Sequence, residues 1–317
     1  MIELPEAVVL ARQMAQELSG KVIATAIRGS VPHKFAFYSG EPEWYAQTLK
    51  GKAVGATGVL GGMVLIAAEP GYNVVLGCGG ERILYHPSAD QAPAKHHFLL
   101  TFTDGSALSV VVSGWGTALL LDQRTQAEHP FLRDAQDRLT PVGDAFTWER
   151  FEALFADLPT GDARAVKFFL ISRPGLSGMG NGYLQDILFR AHIHPRRRAV
   201  DLSEAEREAL YRATVETYAQ AIAADGRDTE RDLYDRPGRY VPILDKRANG
   251  RPCPRCGTAI EKISAALGYC LLHARGTRSS GEASPSWAVP ATYARSASRC
   301  SRRPARRVPI TSTPVRE

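Results

Sequence analysis

Cysteine is scarce in this chain, five in 317 residues, which excludes a disulfide scaffold as the source of its stability. No apolar run approaches the ~20 residues that a membrane-spanning helix needs. The acidic opening "MIELPE" also lacks the basic start of a secretory signal. The expectation is a soluble cytoplasmic protein with no membrane partner. Nor does the charge of the body point to a polyanion. The formal net charge is +6, but eight arginines against two acids between Gly276 and Glu317 account for all of it, leaving 31 basic and 31 acidic residues elsewhere. A neutral body offers no global electrostatic ground for binding nucleic acid.

What the chain does have is enough apolar material, 44% of residues, for more than one buried core. Pro5 suits a first helical turn, Glu3 and Glu6 suit the positive end of a helix dipole, and Val8, Val9, Ala11, Met14, Ala15 and Leu18 continue an apolar stripe that stops at Ser19-Gly20. From residue 21 to about 120, runs such as "KAVGATGVL" and "GMVLIAAE" between Gly, Pro and Asp-Gly turns read as strands. Asp104-Gly105 marks a hairpin. Near Arg133 the pattern turns helical and stays so to about residue 225, with a capping box at Ser203 and Glu206. The fold class is therefore α+β and multidomain: a β-sandwich with a leading helix over 1–132, a helical domain over 133–246, a cysteine-containing module over 247–275, and a disordered basic tail over 276–317 that carries Cys300.

Two segments carry chemistry. In "RPCPRCGTAIEKISAALGYCLLH", Cys253 and Cys256 stand two residues apart, as do Cys270 and His273, and two such pairs on tight turns offer four ligands for one structural Zn2+. In "LSGMGNGYLQDILFRAHIHPRRR", a glycine-rich turn opens a helix, an arrangement that turns backbone N–H groups toward an anion such as phosphate. Cys78 in "LGCGGE" reads as a small buried residue at a strand end.

Together these segments resemble the formamidopyrimidine-DNA glycosylase and endonuclease VIII family. "MIELPEA" is similar to its "MPELPE" start, "GMGNGYLQDILFRAHIHP" to its helix–two-turn–helix signature, and "CPRCG" with "YC" to its zinc β-hairpin, in that order along residues 1 to about 273. The resemblance implies a β-sandwich, a helix–two-turn–helix domain and a zinc hairpin. It further implies a monomer that works on damaged duplex or single-stranded DNA at the bacterial nucleoid and flips a base to break its N-glycosidic bond. On the same ground Glu3 and Glu6 are the catalytic acids, and the Met1 α-amine is the candidate for the nucleophilic amine that the family exposes at its chain start. Lys167 and Asn181 match phosphate-binding residues, and Tyr183, Arg190 and Arg197 complete the expected DNA-contacting set.

The chain departs from the family at its second residue. Ile2 replaces the proline whose amine forms a Schiff base, and retention of Met1 puts the α-amine one residue too far out, which argues against lyase chemistry. Basic positions of the family fall at Gly62, Gly114 and Ala265. Three readings follow: a glycosylase in which Glu3 activates water, a DNA-binding protein without catalysis, and a lyase using Met1 or a lysine such as Lys34.

Overall fold

Ile2, Ala7, Leu10, Met14 and Leu18 on one side of the leading segment, and Leu4 on the other, are all buried, so the first helix must serve two cores at once. The computed structural model of the chain describes residues 1–156, 158–172, 174–265 and 268–273, those from 263 on by their backbone. The tail expected over 276–317 lies outside the described residues. Helix α1 spans Leu4–Leu18 with proline in its first turn, and the chain leaves it through Gly20 at φ +78°, a value that favours glycine.

Strands β1 (Ile23–Arg28) and β2 (Ala36–Phe37), helix α2 (Pro42–Leu49), and strands β3 (Ala53–Leu60), β4 (Met63–Glu69), β5 (Tyr72–Gly77), β6 (Glu81–His86), β7 (Phe98–Phe102), β8 (Ala107–Val112) and β9 (Gly116–Asp122) follow. They form two sheets, ordered β1-β7-β8-β6 and β2-β9-β5-β4-β3, antiparallel except where β2 meets β9. Ala26, Phe98, Leu100, Leu108 and Val110 of the first sheet share one core with Val64, Ile66, Val74, Leu76 and Leu120 of the second, which is the expected sandwich. The Asp104-Gly105 hairpin joins β7 to β8, with Gly105 at φ +86° and the Asp104 carboxylate accepting from the Ser106 N–H at 3.0 Å.

Helix α3 (Pro130–Gln136) lays Leu132 and Ala135 on the outer face of the second sheet, against Met63, Val75, Leu119 and Leu121. The change of character near Arg133 thus falls inside a helix that packs with the sandwich. Helices α4 (Trp148–Ala156), α5 (Val166–Ile171), α6 (Asn181–Arg190) and α7 (Glu204–Ala223) bury Phe151, Phe155, Phe169, Leu184, Ile187, Leu210 and Tyr218 together, and Leu4 of α1 joins them. The capping box at the start of α7 is formed as expected: Ser203 Oγ accepts from the Glu206 N–H at 3.3 Å, and the Glu206 carboxylate accepts from the Ser203 N–H at 2.8 Å. Among the described residues no helix is long and apolar enough to cross a membrane.

Beyond α7, Cys253 is buried with Leu244, Ala248 and Ile260. It sits on a turn closed by bonds from the Gly257 N–H to its carbonyl (2.9 Å) and from its own N–H to Thr258 (2.7 Å), and Cys256 lies on the same turn, exposed. Strands β10 (Ile260–Ala265) and β11 (Gly268–His273) form a hairpin in which Ile263 faces Cys270 and Ile260 faces His273. The second ligand pair therefore lies along a strand and not on a tight turn.

The sandwich and the helical region meet at two glycines. The Leu4 N–H donates to Gly178 O at 2.9 Å, and a Cβ on Gly178 would stand 2.5 Å from the Gly61 carbonyl carbon. Gly178 also holds φ +69°. Gly178→Ala combines backbone strain with a clash against main chain and should cost about 2 kcal/mol or more. Urea unfolding of the variant beside wild type measures this, and equal midpoints would refute it.

Candidate active site

Glu3 begins α1 and Glu6 closes its first turn, and the two carboxylates face different ways. Glu6 turns back on its own helix and accepts from the Glu3 N–H at 3.0 Å. Glu3 reaches across to the start of α6, where Oε2 accepts from the Gly180 N–H at 3.0 Å and Oε1 from the Gly182 N–H at 2.8 Å. The glycine-rich turn expected to hold an external phosphate thus holds an anion of its own chain, by the same physics: unsatisfied N–H groups at a helix start and the positive end of its dipole. Glycine is required there. A Cβ on Gly180 would lie 2.7 Å from Glu3 Cδ, and one on Gly182 would lie 1.4 Å from a nitrogen of Arg227.

Arg227, in the segment after α7, is the cation of the cluster. Its Nε and backbone N–H donate to Glu6 Oε1 at 3.1 and 3.2 Å, Nη1 stands 3.4 Å from Glu3 Oε1, and Nη2 donates to Met1 O at 2.6 Å. The guanidinium lies 4.8 Å from the Tyr183 ring centroid, and the Tyr183 hydroxyl donates to Glu6 at 2.5 Å. The Met1 α-amine pairs with Glu230 at 2.7 Å. Glu3 is 3% exposed, and burial pushes its carboxyl above the usual range while Arg227 pulls it back, Glu6 pushes it further up, and the Gly182 N–H pulls it down.

A cavity of about 320 Å³ opens beside this cluster, lined by Met1, Glu3, Asn181, Gly182, Arg227 and Lys246, among others. Its size suits one heterocyclic base with part of its sugar. Met1, Glu3 and Asn181, three of the residues singled out in the sequence, are thus brought to one cavity. Glu6 lies beneath them, and the remaining expected contacts do not line the cavity.

Tyr183 is fully buried and packs edge-on against Tyr218, because the third residue of α6 faces inward with Ile187 one turn on. In this structure its ring belongs to the helical core. Lys167 is 1% exposed, enclosed with α5 in the helical core, and presents no surface to a phosphate. Arg190 donates to Gln220 at 2.9 Å, and Arg197 binds Asp201 O at 2.9 Å and Glu206 at 3.3 Å. Arg198 pairs with Asp201, so much of the charge in "RRR" is spent locally. Gly62 stands against the chain start, where a Cβ would meet Ile2 O at 3.0 Å, and Gly114 makes the β8–β9 turn at φ +90°. Lys34 is exposed and lies over the Phe35 ring, away from the cluster's contacts. Ala265 ends β10. The Cys78 thiol is pushed up to about 11, chiefly by burial, which leaves it an unreactive packing group.

Arg227 escapes a sequence reading. It stands in "DGRDTERD", where alternating charge reads as a solvated loop, and nothing in the spacing marks one of its two arginines as buried.

Behind the chain start, the Ile2 N–H donates to Gly79 O at 2.7 Å, while Glu81 accepts from the Gly79 N–H at 2.8 Å and the Thr117 N–H at 2.7 Å. Burial pushes Glu81 up to about 7 from an ordinary 4.5, against the pull of those N–H groups. The folded protein therefore favours the protonated acid. Its contribution to stability is complete below about pH 4.5 and is lost as the pH rises through about 7. Between pH 5 and 8 the wild type should lose up to about 3 kcal/mol relative to Glu81→Gln. Urea unfolding of both proteins across that range checks it, and parallel curves would refute it.

The profile of the formamidopyrimidine-DNA glycosylase H2TH domain matches residues 140–232, the stretch holding α4 to α7 and Arg227. Formamidopyrimidine-DNA glycosylase of Shouchella clausii is 32% identical over 270 residues, covering 83% of this chain and 94% of that protein. The Roseiflexus enzyme of the same name is 32% identical over 279 residues, covering 85% and 98%. Among solved structures, Lactococcus lactis Fpg in complex with DNA containing an abasic site superposes with a TM-score of 0.75 at 21% identity, over 87% of this chain and 100% of that one. MutM bound to DNA containing carbocyclic 8-oxo-G gives 0.72. With identity above 30% over nearly the whole of such relatives, this chain belongs to the formamidopyrimidine-DNA glycosylase family.

Proposed function

We propose that this protein is a DNA glycosylase of base excision repair that takes a flipped, damaged nucleotide into the cavity beside Met1 and breaks its N-glycosidic bond. The observation that carries the reading is Glu3, a buried carboxylate raised by burial that still lines the cavity. Flipping is required because C1′ of a stacked nucleotide gives neither nucleophile nor acid an approach. Ionised Glu3 takes a proton from water as its oxygen bonds to C1′. The C1′–N bond breaks, and the departing base takes up a proton. Asn181 at the start of α6 and Lys246, which both line the cavity, are the groups proposed to meet the flanking phosphates. The bacterial nucleoid is where such a substrate is met.

One observation favours a DNA-binding role without catalysis: Glu3 already has two N–H donors and a guanidinium, as a purely structural cap would. The two readings separate on one variant. Glu3→Gln should lower base release from a duplex carrying a formamidopyrimidine by 10²-fold or more, with DNA affinity nearly unchanged. In the same assay wild type should trap poorly with borohydride, since Glu230 holds the Met1 amine. Base release that survives the substitution would remove Glu3 from the chemistry, and absence of release from wild type on every lesion tried would leave the binding role.

We also propose that Cys253, Cys256, Cys270 and His273 hold one structural zinc. The chemistry of the donor set suits it, and Cys253 is buried on a turn beside a hairpin too small to supply a core of its own. Metal analysis of purified protein should give about one zinc per chain, lost on Cys253→Ala. His273→Ala tests the one histidine of the set. Folded wild type without metal would refute the site.

A further inference from the structure

Arg227 is 7% exposed at its side chain and touches Glu3, Glu6 and the Met1 carbonyl at once, and the chemistry proposed for Glu3 gives it no role. We infer that Arg227 is a positioning residue that keeps the Glu3 carboxylate charged and aimed into the cavity while tying down the chain start. The inference rests on the reading of Glu3 as the group that activates water.

The geometry divides the labour between the two acids. Glu6 receives four donors within 3.2 Å, from the Glu3 N–H, the Tyr183 hydroxyl, and the Nε and backbone N–H of Arg227, and it does not line the cavity. Glu3 accepts from the Gly180 and Gly182 N–H groups and lines the cavity, so it is the acid that can exchange a proton with a substrate water. Of the charged and titratable groups around it, Glu6 and the Met1 amine come from α1 and its start, Tyr183 from α6 and Tyr218 from α7. Arg227 and Glu230 come from the following segment, Asp245 and Lys246 from the cavity rim, and Glu81 from the sandwich. Among the described residues, only Arg227 makes an ion pair with Glu3. The fold makes room for that pair at a cost in sequence freedom, since any side chain at position 182 would displace the guanidinium.

Burial favours protonated Glu3, and Arg227 is the largest influence against it. Without the guanidinium the charged, water-activating form should appear only at higher pH. A purely structural Arg227 would instead lower the rate by one factor at every pH.

The test is single-turnover base release by the full chain against pH, on a duplex with one formamidopyrimidine, for wild type, Arg227→Gln and Arg227→Lys. It is paired with a ¹³C titration of the Glu3 carboxyl in protein without DNA. In Arg227→Gln the acid limb and the Glu3 midpoint should both rise by roughly one to three pH units, with the rate recovering toward wild type at alkaline pH. Arg227→Lys, whose single ammonium cannot serve both acids, should fall between. A uniform loss of rate with an unmoved midpoint would overturn the inference. If Arg227→Gln does not fold, an unmoved limb and midpoint in Arg227→Lys would overturn it equally. If wild type releases no base yet the midpoint moves, the charge-holding role stands and the glycosylase reading fails.

Discussion

One guanidinium set between two buried carboxylates fixes how this chain closes on itself. Glu3 and Glu6 are each 3% exposed and Arg227 is 6% exposed, and removing such charges from water costs several kcal/mol per ion. The cost is recovered only if every member is present and hydrogen-bonded. Here the chain start supplies both acids, the start of α6 supplies two N–H donors and a phenol, and the segment after α7 supplies the cation. Loss of one partner would leave the others buried and uncompensated, typically a matter of 3–5 kcal/mol. The cluster therefore ties the chain start, the start of α6 and the segment after α7 together beside the cavity.

The same constraint explains why glycines gather at the junction. Gly178 meets Gly61, Gly180 and Gly182 admit Glu3 and Arg227, and Gly62 lies against Ile2. Where relatives were expected to carry a lysine, Gly62 lets the backbone of the first strand pair approach the chain start. A charge that might have faced DNA is thereby absent from the body. In the helical region Arg190 is engaged by Gln220, Arg197 by Glu206 and the Asp201 carbonyl, and Arg198 by the Asp201 carboxylate.

Much of the fold was legible because its signals are local. The apolar stripe and stop of α1, the Asp104-Gly105 turn, the Ser203 capping box and the succession from β-rich to helical to cysteine-bearing segments each lie within a few residues of sequence. What was missed depends on distant partners or on brevity. Helix α2 is two turns long, with only Tyr45 and Leu49 buried, and its Pro42 start is its one clear signal. Strand β6 alternates too weakly to stand out from the turn before it. Tyr183 could face either way on α6 until Tyr218 and Glu6 are placed around it. Nothing in "GMGNG" says that its anion is Glu3, 177 residues away. Arg227 is decided by contacts across more than two hundred residues, which no window of sequence contains.

The question left by the opening segment is whether Glu3 is a cap or a reagent, and the balance of forces on it bears on the answer. Two N–H bonds, a helix start and a guanidinium all favour the charged form, and an exposed carboxylate so held would sit well below its ordinary range and take up no proton near neutrality. Burial acts the other way and is the larger influence, leaving Glu3 raised in spite of its donors. A carboxylate meant only to cap α6 would gain nothing from such burial, because desolvation weakens the ionic form that the cap requires. A carboxylate meant to accept a proton from water and give it back gains from both: the donors hold its orientation, and burial restores its basicity.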